Sequence, residues 1–511
     1  MIIKTTIKKV LLAASVLGLN IPLASGQTKE VTIDINLSKT YQTISNFGAS
    51  DAWSCQFVGN WPDDKRNKIA DLLFSRDNNA DGSPKGIGLS LWRFNIGAGS
   101  TQQGNESGIK DEWRRAESFL NSDGSYNWQN QAGQVWFLKA AKQRGVKQFL
   151  GFNNSPPVQF TVNGKAYANG GKVNIAPDKY DAYATFLAKV VKGVEQVSKV
   201  KFDYISPINE PQWDWSDGGQ EGAPYNNTEI AGVIKAINKE FTNNKISSKI
   251  LVGEAGSINY LFTKGDKAGK GNQIADFFKP GSVNYIGDLP SVAKTISAHS
   301  YFTTSPMASS VKARTVLADS VATVNGLNFW QSEYCILGDN AGEMDGNKRD
   351  LGIDAGLYLA SVIHTDLTVA NASAWQWWTS ISAYDYKDGL IYIDKNKTDG
   401  NFYTSKMLWA MGNYSRFVNP GALRVDAGVA ASAENNSLLV SAFKNGKNVI
   451  VVVINPGTTD VATVLNANSA KVQFTTSYLT SQTNELKPGK ITGDKNVIPA
   501  RSIVTLTGVI K

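Results

Sequence analysis

The sequence predicts an α/β fold, a (β/α)8 TIM barrel with an all-β sandwich side domain built from both chain ends. Three observations carry that prediction. Strand-length apolar runs alternate strictly with amphipathic stretches across residues 44–416. There are eight of each, the count of a closed barrel. After about residue 417 the helical period stops and short alternating strands take over.

Residues 28–45 alternate apolar and polar at Val31, Ile33 and Ile35, which reads as one or two strands. The barrel strands fall at 44–49, 86–96, 147–153, 202–208, 249–254, 294–300, 327–332 and 371–378. Amphipathic stretches at 62–75, 131–144, 178–197, 226–242, 273–280, 306–324, 350–367 and 404–415 follow them in turn. A doubly wound sheet is the rival, but no glycine-rich phosphate turn opens a helix after the first strand. Beyond the barrel, Leu438–Phe443, Val449–Ile454, Val472–Leu479 and Ile503–Val509 read as strands. Asn445-Gly446, Asn455-Pro456-Gly457 and Pro488-Gly489 supply the turns between them. The division is therefore a leader at 1–26, strands of the sandwich at 27–45, the barrel at 46–416 and the C-terminal sandwich at 417–511.

Composition narrows the function. Charged residues are 19% and hydrophobic ones 42%, the balance of a globular chain with a core. The net charge is +8, yet no Lys/Arg run reaches five residues and no aromatics interleave with a basic stripe. That argues against nucleic acid as a partner. Only two histidines occur, His299 and His364, which leaves little room for a His-based zinc site or a Ser-His-Asp triad. An oxidising compartment permits Cys55 and Cys335 to pair, but two cysteines do not make a disulfide framework. Asp77-Asn78-Asn79-Ala80-Asp81-Gly82 resembles the start of an EF-hand loop, but Gly88 stands where the twelfth-position acid belongs. A polar turn before strand two is the plainer account. The 13 tryptophans admit two readings, core packing or stacking on sugar rings.

The N-terminus reads as a secretion signal. Lys4 to Lys9 form a basic segment, Val10 to Leu19 a short apolar run, and Ala24-Ser25-Gly26 a cleavage site that leaves Gln27 first. The apolar run is too short to span a bilayer, and no other segment is long and apolar enough. A secreted or periplasmic protein, cleaved near Gly26, is expected.

Chemistry in such a barrel sits at the C-terminal ends of its strands. The fourth strand ends in Asn209-Glu210-Pro211 and the seventh in Ser332-Glu333. Two carboxylates on opposite sides of one mouth are what glycoside hydrolysis uses. One protonates the departing oxygen and the other attacks the anomeric carbon. The bland alternative is that both glutamates cap helices or pair with arginines. Asn209 can bond a sugar hydroxyl beside the scissile bond.

Taken as an ordered set, several motifs resemble glycoside hydrolase family 30. They are Asn46-Phe47-Gly48-Ala49 at strand one and Leu89 to Gly97 at strand two, then Asn154-Ser155-Pro156-Pro157 after strand three and Asn209-Glu210-Pro211 after strand four. His299-Ser300-Tyr301, Gln331-Ser332-Glu333 and Trp375-Gln376-Trp377-Trp378 follow at strands six, seven and eight. The resemblance implies that Glu210 is the acid/base and Glu333 the nucleophile of a retaining mechanism. It also implies a β-sandwich built from both chain ends. No metal or organic cofactor is implied.

Position suggests the rest of the site. Arg93 ends strand two and either holds the nucleophile ionised or buttresses the barrel. On strand six Tyr301 can bond Glu333, and His299 can contact sugar or carboxylate or be structural. Trp375 and Trp377 share a face of strand eight, and one of them is expected to floor the sugar subsite, with Trp378 in the core. Asp51 and Trp53 follow strand one and can meet sugar hydroxyls. Asn153 and Asn154 end strand three, and only one of them can point inward. Glu254 ends strand five, with binding and structural roles both open.

The segment from Ser206 to Trp215, followed by Gln220-Glu221-Gly222, is similar to endo-β-1,6-galactanases of the family. Ala223 departs from that pattern, standing where a cysteine is often found. Trp213 and Trp215 sit just past the acid/base, where a leaving sugar would bind. The expected partner is an oligo- or polysaccharide. Other family activities, on β-fucosides, β-xylosides, β-1,6-glucans or glucosylceramide, and a glycan-binding protein without catalysis stay open as alternatives.

Overall fold

The first strand, β1 (Val31–Thr43), does not enter the barrel. In the computed structural model, which describes residues 30–430, 437–468 and 470–511, it belongs to a separate nine-stranded sheet. The expected leader at 1–26 lies outside the described residues.

The barrel strands are β2 (Asn46–Ser50), β3 (Leu91–Asn95), β4 (Gln148–Phe152), β5 (Tyr204–Ser206), β6 (Lys249–Ala255), β7 (Val292–His299), β8 (Asn328–Glu333) and β9 (Ala374–Ser382). They pair in parallel in sequence order, and β9 closes the ring by pairing with both β8 and β2. Outside run α1 (Asp63–Phe74), α2 (Ala132–Gln143), α3 (Tyr180–Ser198), α4 (Asn227–Asn243), α5 (Gln273–Phe278), α6 (Met307–Ala322), α7 (Ile353–Thr368) and α8 (Lys406–Ser415). Their starts follow local chemistry. α4 opens on a capping box in which Asn226 accepts from Glu229 N–H and the Glu229 carboxylate accepts from Asn226 N–H. α8 opens on the Ser405 hydroxyl, which accepts from Leu408 N–H.

Strand β5 is shorter than its apolar run. It stops at Ser206 because Pro207 has no N–H for the ladder, and Ile208 to Glu210 leave the sheet. That early exit frees Asn209 and Glu210 to face the mouth.

Two short strands, β10 (Gly389–Ile393) and β11 (Phe402–Thr404), extend the sheet beside β9. The C-terminal module contains β12 (Leu423–Val429), β13 (Leu439–Asn445), β14 (Asn448–Asn455), β15 (Val461–Ala467), β16 (Val472–Thr480), β17 (Lys487–Lys490), β18 (Lys495–Ile498) and β19 (Ser502–Ile510). There β1 lies between β12, to which it is antiparallel, and β15, to which it is parallel. Alternation along β14 joins the two modules. Val449, Val451 and Val453 face the sheet's own core, while Ile450, Val452 and Ile454 pack into the barrel's core cluster.

Cys55 and Cys335 are both free and buried. Residues 77–84 form a polar turn in which Ser83 N–H and hydroxyl both donate to Asp81. Among the described residues no helix is long and apolar enough to cross a membrane.

Candidate active site

Glu333 is the last residue of β8, and Glu210 stands four residues beyond β5. Glu210 adopts φ 44° and Glu254, at the end of β6, φ 47°, both in the left-handed region that side-chain-bearing residues seldom enter. Their peptides are joined, since Glu210 N–H donates to the Glu254 carbonyl at 2.8 Å. Such backbone persists only where the surroundings over-determine it, and it gathers at functional sites. A cleft of about 300 Å³ opens on the pair, lined also by Asn209, Trp213, Trp215, Gln220, Tyr301, Phe302, Leu337 and Trp378. A larger hollow of about 900 Å³ lies between α7 and the C-terminal sheet and touches neither glutamate.

Behind the cleft lies a network of charge. Arg93, wholly buried, donates to Glu333 through one nitrogen and to the Asn209 side-chain oxygen, 3.1 Å away, through the other. The second nitrogen is also 3.6 Å from Glu254. His299 Nδ1 stands 3.0 Å from Glu210 Oε1 and 3.4 Å from Glu333 Oε1. Its Nε2 stands 3.0 Å from Glu254 Oε2, which also accepts from Ser332 Oγ at 2.8 Å. Tyr301 donates to Glu333 Oε1 at 3.1 Å.

These contacts set the protonation states. Burial favours the neutral imidazole of His299, but Glu333, Glu210 and Glu254 outweigh it and push its pKa up to about 10. Burial also disfavours the charge on Glu254, yet His299, Arg93 and Ser332 hold its carboxyl at about 2. For Glu333 burial raises the carboxyl above the usual range, the charges of His299 and Arg93 oppose the shift, and Glu210 adds to it.

Atoms of Glu210, His299 and Glu333 lie within 4.8 Å of one another, a spacing that a metal ion would tolerate. Both imidazole nitrogens already face carboxylates and the Arg93 cation sits in the same cluster, so the group fits a hydrogen-bonded network better.

Residues 30–392 match O-glycosyl hydrolase family 30. The chain belongs to that family. The endo-β-1,6-galactanase of Hypocrea rufa is 24% identical over 383 residues, 72% of this chain and 70% of that one. A conserved exported protein from Bacteroides fragilis superposes with a TM-score of 0.86 at 34% identity, covering 93% of this chain and all of that one. The catalytic domain of a family 30 xylanase from Talaromyces cellulolyticus superposes at 0.67 with 24% identity, over 94% of this chain and all of that one. The protein is thus an O-glycosyl hydrolase with the family's barrel and side sheet.

In this family 30 hydrolase the tryptophans of β9 reverse the sequence expectation. Trp375 and Trp377 are wholly buried and neither lines the cleft. Trp375 Nε1 donates to Asp366, which is ion-paired with Arg314, and Trp377 Nε1 donates to the Asp388 carbonyl. The wall is Trp378 instead, set edge-on to Trp53 with centroids 5.2 Å apart. Trp378 falls at an irregularity in the pairing with β2, where Ala49 faces Trp377 and Ser50 faces Thr379, and the side chain of Gln376 bonds Asn46 on β2.

The other expected residues stand around and behind the cleft. Asp51 accepts from Asn95 N–H and Gln134, and burial pushes its carboxyl up to about 8. Asp51 Oδ2, Trp53 Nε1 and both side-chain polar atoms of Asn154 are buried with no hydrogen-bond partner among the described residues. Asn153 donates to the Ile96 carbonyl. Arg93 and His299 touch carboxylates from behind and are not cleft walls. Phe302 and Leu337, absent from the sequence reading, stand exposed at the lip. No periodic pattern marks such loop residues.

Proposed function

We propose that the chain is an exported retaining β-glycosidase that cleaves β-1,6-linked galactan by double displacement. One observation carries the reading: a carboxylate oxygen of Glu210 and one of Glu333 lie within 4.8 Å of each other at the cleft. Oxygens that close are compatible with the spacing of about 5–5.5 Å between the two carboxyl groups of retaining enzymes.

Charge balance supports the division of roles. With Arg93 and His299 cationic, two negative charges complete the cluster, and Glu254 holds one of them. The second belongs on Glu333, which accepts from both Arg93 and Tyr301. The remaining proton is assigned to Glu210, whose carboxyl hydrogen-bonds His299 and no other side chain among the described residues. Glu333 attacks the anomeric carbon while the glycosidic C–O bond breaks, and Glu210 passes its proton to the leaving oxygen. A glycosyl ester forms on Glu333. Glu210 then takes a proton from water, whose oxygen displaces Glu333 and restores the β configuration.

The galactan reading draws on the galactanase relative and on Trp213 and Trp215, which offer aromatic faces beside the acid. Export draws on the leader-like N-terminus and the exported Bacteroides neighbour. The test is digestion of β-1,6-galactan, β-1,6-glucan and glucuronoxylan by wild type and Glu333→Gln. Galactan-derived oligosaccharides from wild type alone are expected. Release from another polymer alone would move the substrate, and equal release by both proteins would end the reading.

A further inference from the structure

We infer that Trp215 is a positioning residue whose indole N–H sets the aim of the Glu210 carboxyl. The inference rests on the proposed role of Glu210 as acid/base.

Glu210 is lightly held by its side chain, which among the described residues hydrogen-bonds only His299. Its direction therefore depends on its backbone, which is in the left-handed region. That backbone is tied at both ends. The N–H donates to the Glu254 carbonyl, and the carbonyl accepts Trp215 Nε1 at 3.0 Å and Trp213 N–H at 3.2 Å.

Trp215 is itself fixed. Its carbonyl accepts from Ala168 N–H at 2.9 Å, and its ring lies so close to Gly222 that a Cβ there would stand 2.3 Å from it. The loop 211–215 thus leaves Glu210 and returns to clamp it from the neighbouring loops. Trp215 also lines the cleft, so a ring contact with sugar has to be separated from the N–H contact with the acid.

Leaving-group chemistry separates them. A 2,4-dinitrophenolate departs without a proton, whereas a phenolate needs one. In Trp215→Phe the ring stays, the donor goes, and the Glu210 carbonyl keeps Trp213 N–H. A second variant carries benzothienylalanine at 215, with sulfur in place of the N–H and nearly the same shape.

Both variants are assayed on phenyl and 2,4-dinitrophenyl glycosides of β-1,6-galactobiose, with thermal unfolding as a fold control and Glu333→Gln as a reference. The expected result is a loss of kcat/KM of about tenfold or more on the phenyl glycoside and less than about twofold on the dinitrophenyl one. KM should hold, and the alkaline limb of the pH profile should move for the phenyl glycoside only. Equal losses on both substrates, or none, would overturn the inference and leave Trp215 as a sugar platform or a packing residue. If wild type cleaves neither glycoside, or Glu333→Gln cleaves both, the functional reading falls first and this inference with it.

Discussion

His299 Nδ1 lies 3.0 Å from Glu210 and 3.4 Å from Glu333, so a single ring nitrogen meets both carboxylates across the cleft floor. Through Nε2 the same ring reaches Glu254, and it is wholly buried among the three. A cation so placed stabilises the fold only while it keeps its proton.

Its folded pKa of about 10 lies above the unfolded value of 6.5. The stabilising contribution is therefore complete below about pH 6.5 and is lost as pH rises through about 10. His299→Asn should unfold at a lower temperature than wild type at pH 7. The gap should narrow toward pH 10, as read by thermal unfolding across that range. A gap that stays constant would mean that His299 is not charged in the fold.

Separate loss of each carboxylate should leave different signatures. Glu210→Ala should lose about 10²–10⁴-fold on unactivated substrate. Azide, attacking a glycosyl-enzyme that still forms from an activated substrate, should then yield the β-glycosyl azide. In Glu333→Ala azide replaces the nucleophile itself and should yield the α-glycosyl azide. NMR of the products reads both, and the opposite pattern would exchange the roles.

The two kinds of β9 tryptophan should also separate. Trp378→Ala removes a cleft wall and should raise KM, and because the ring is buried against Trp53 it should also lower the unfolding temperature. Trp375→Phe leaves the buried Asp366 short of a donor and should cost about 1–3 kcal/mol in stability with KM unchanged. Paired denaturation and kinetic measurements check both.

The barrel was legible because strand and helix periods alternate so regularly, and the two glutamates because strand ends are where such barrels work. The face of β9 was not legible. Trp375 to Trp378 are all buried, so no polar-apolar alternation marks which side meets the mouth. Gln376 was the available sign, since a buried amide between tryptophans seeks the amides of neighbouring strands, as it does with Asn46. The role of Glu254 was equally hidden. Its position was readable, but its grip on His299 and Ser332 comes from strands far apart in sequence. The Trp215 contact with the Glu210 carbonyl depends on a left-handed turn that no residue pattern announces.

Trapping the covalent intermediate bears most directly on the pairing of Glu210 with Glu333. The reagent is a 2-deoxy-2-fluoro-β-galactobioside with a dinitrophenyl leaving group, which forms the glycosyl-enzyme quickly and releases it slowly. Peptide mass mapping should find one fluorogalactobiosyl group per chain, attached at Glu333 and missing from Glu333→Gln. An adduct on Glu254 or Glu210, or turnover to the α-anomer with no adduct, would contradict the account.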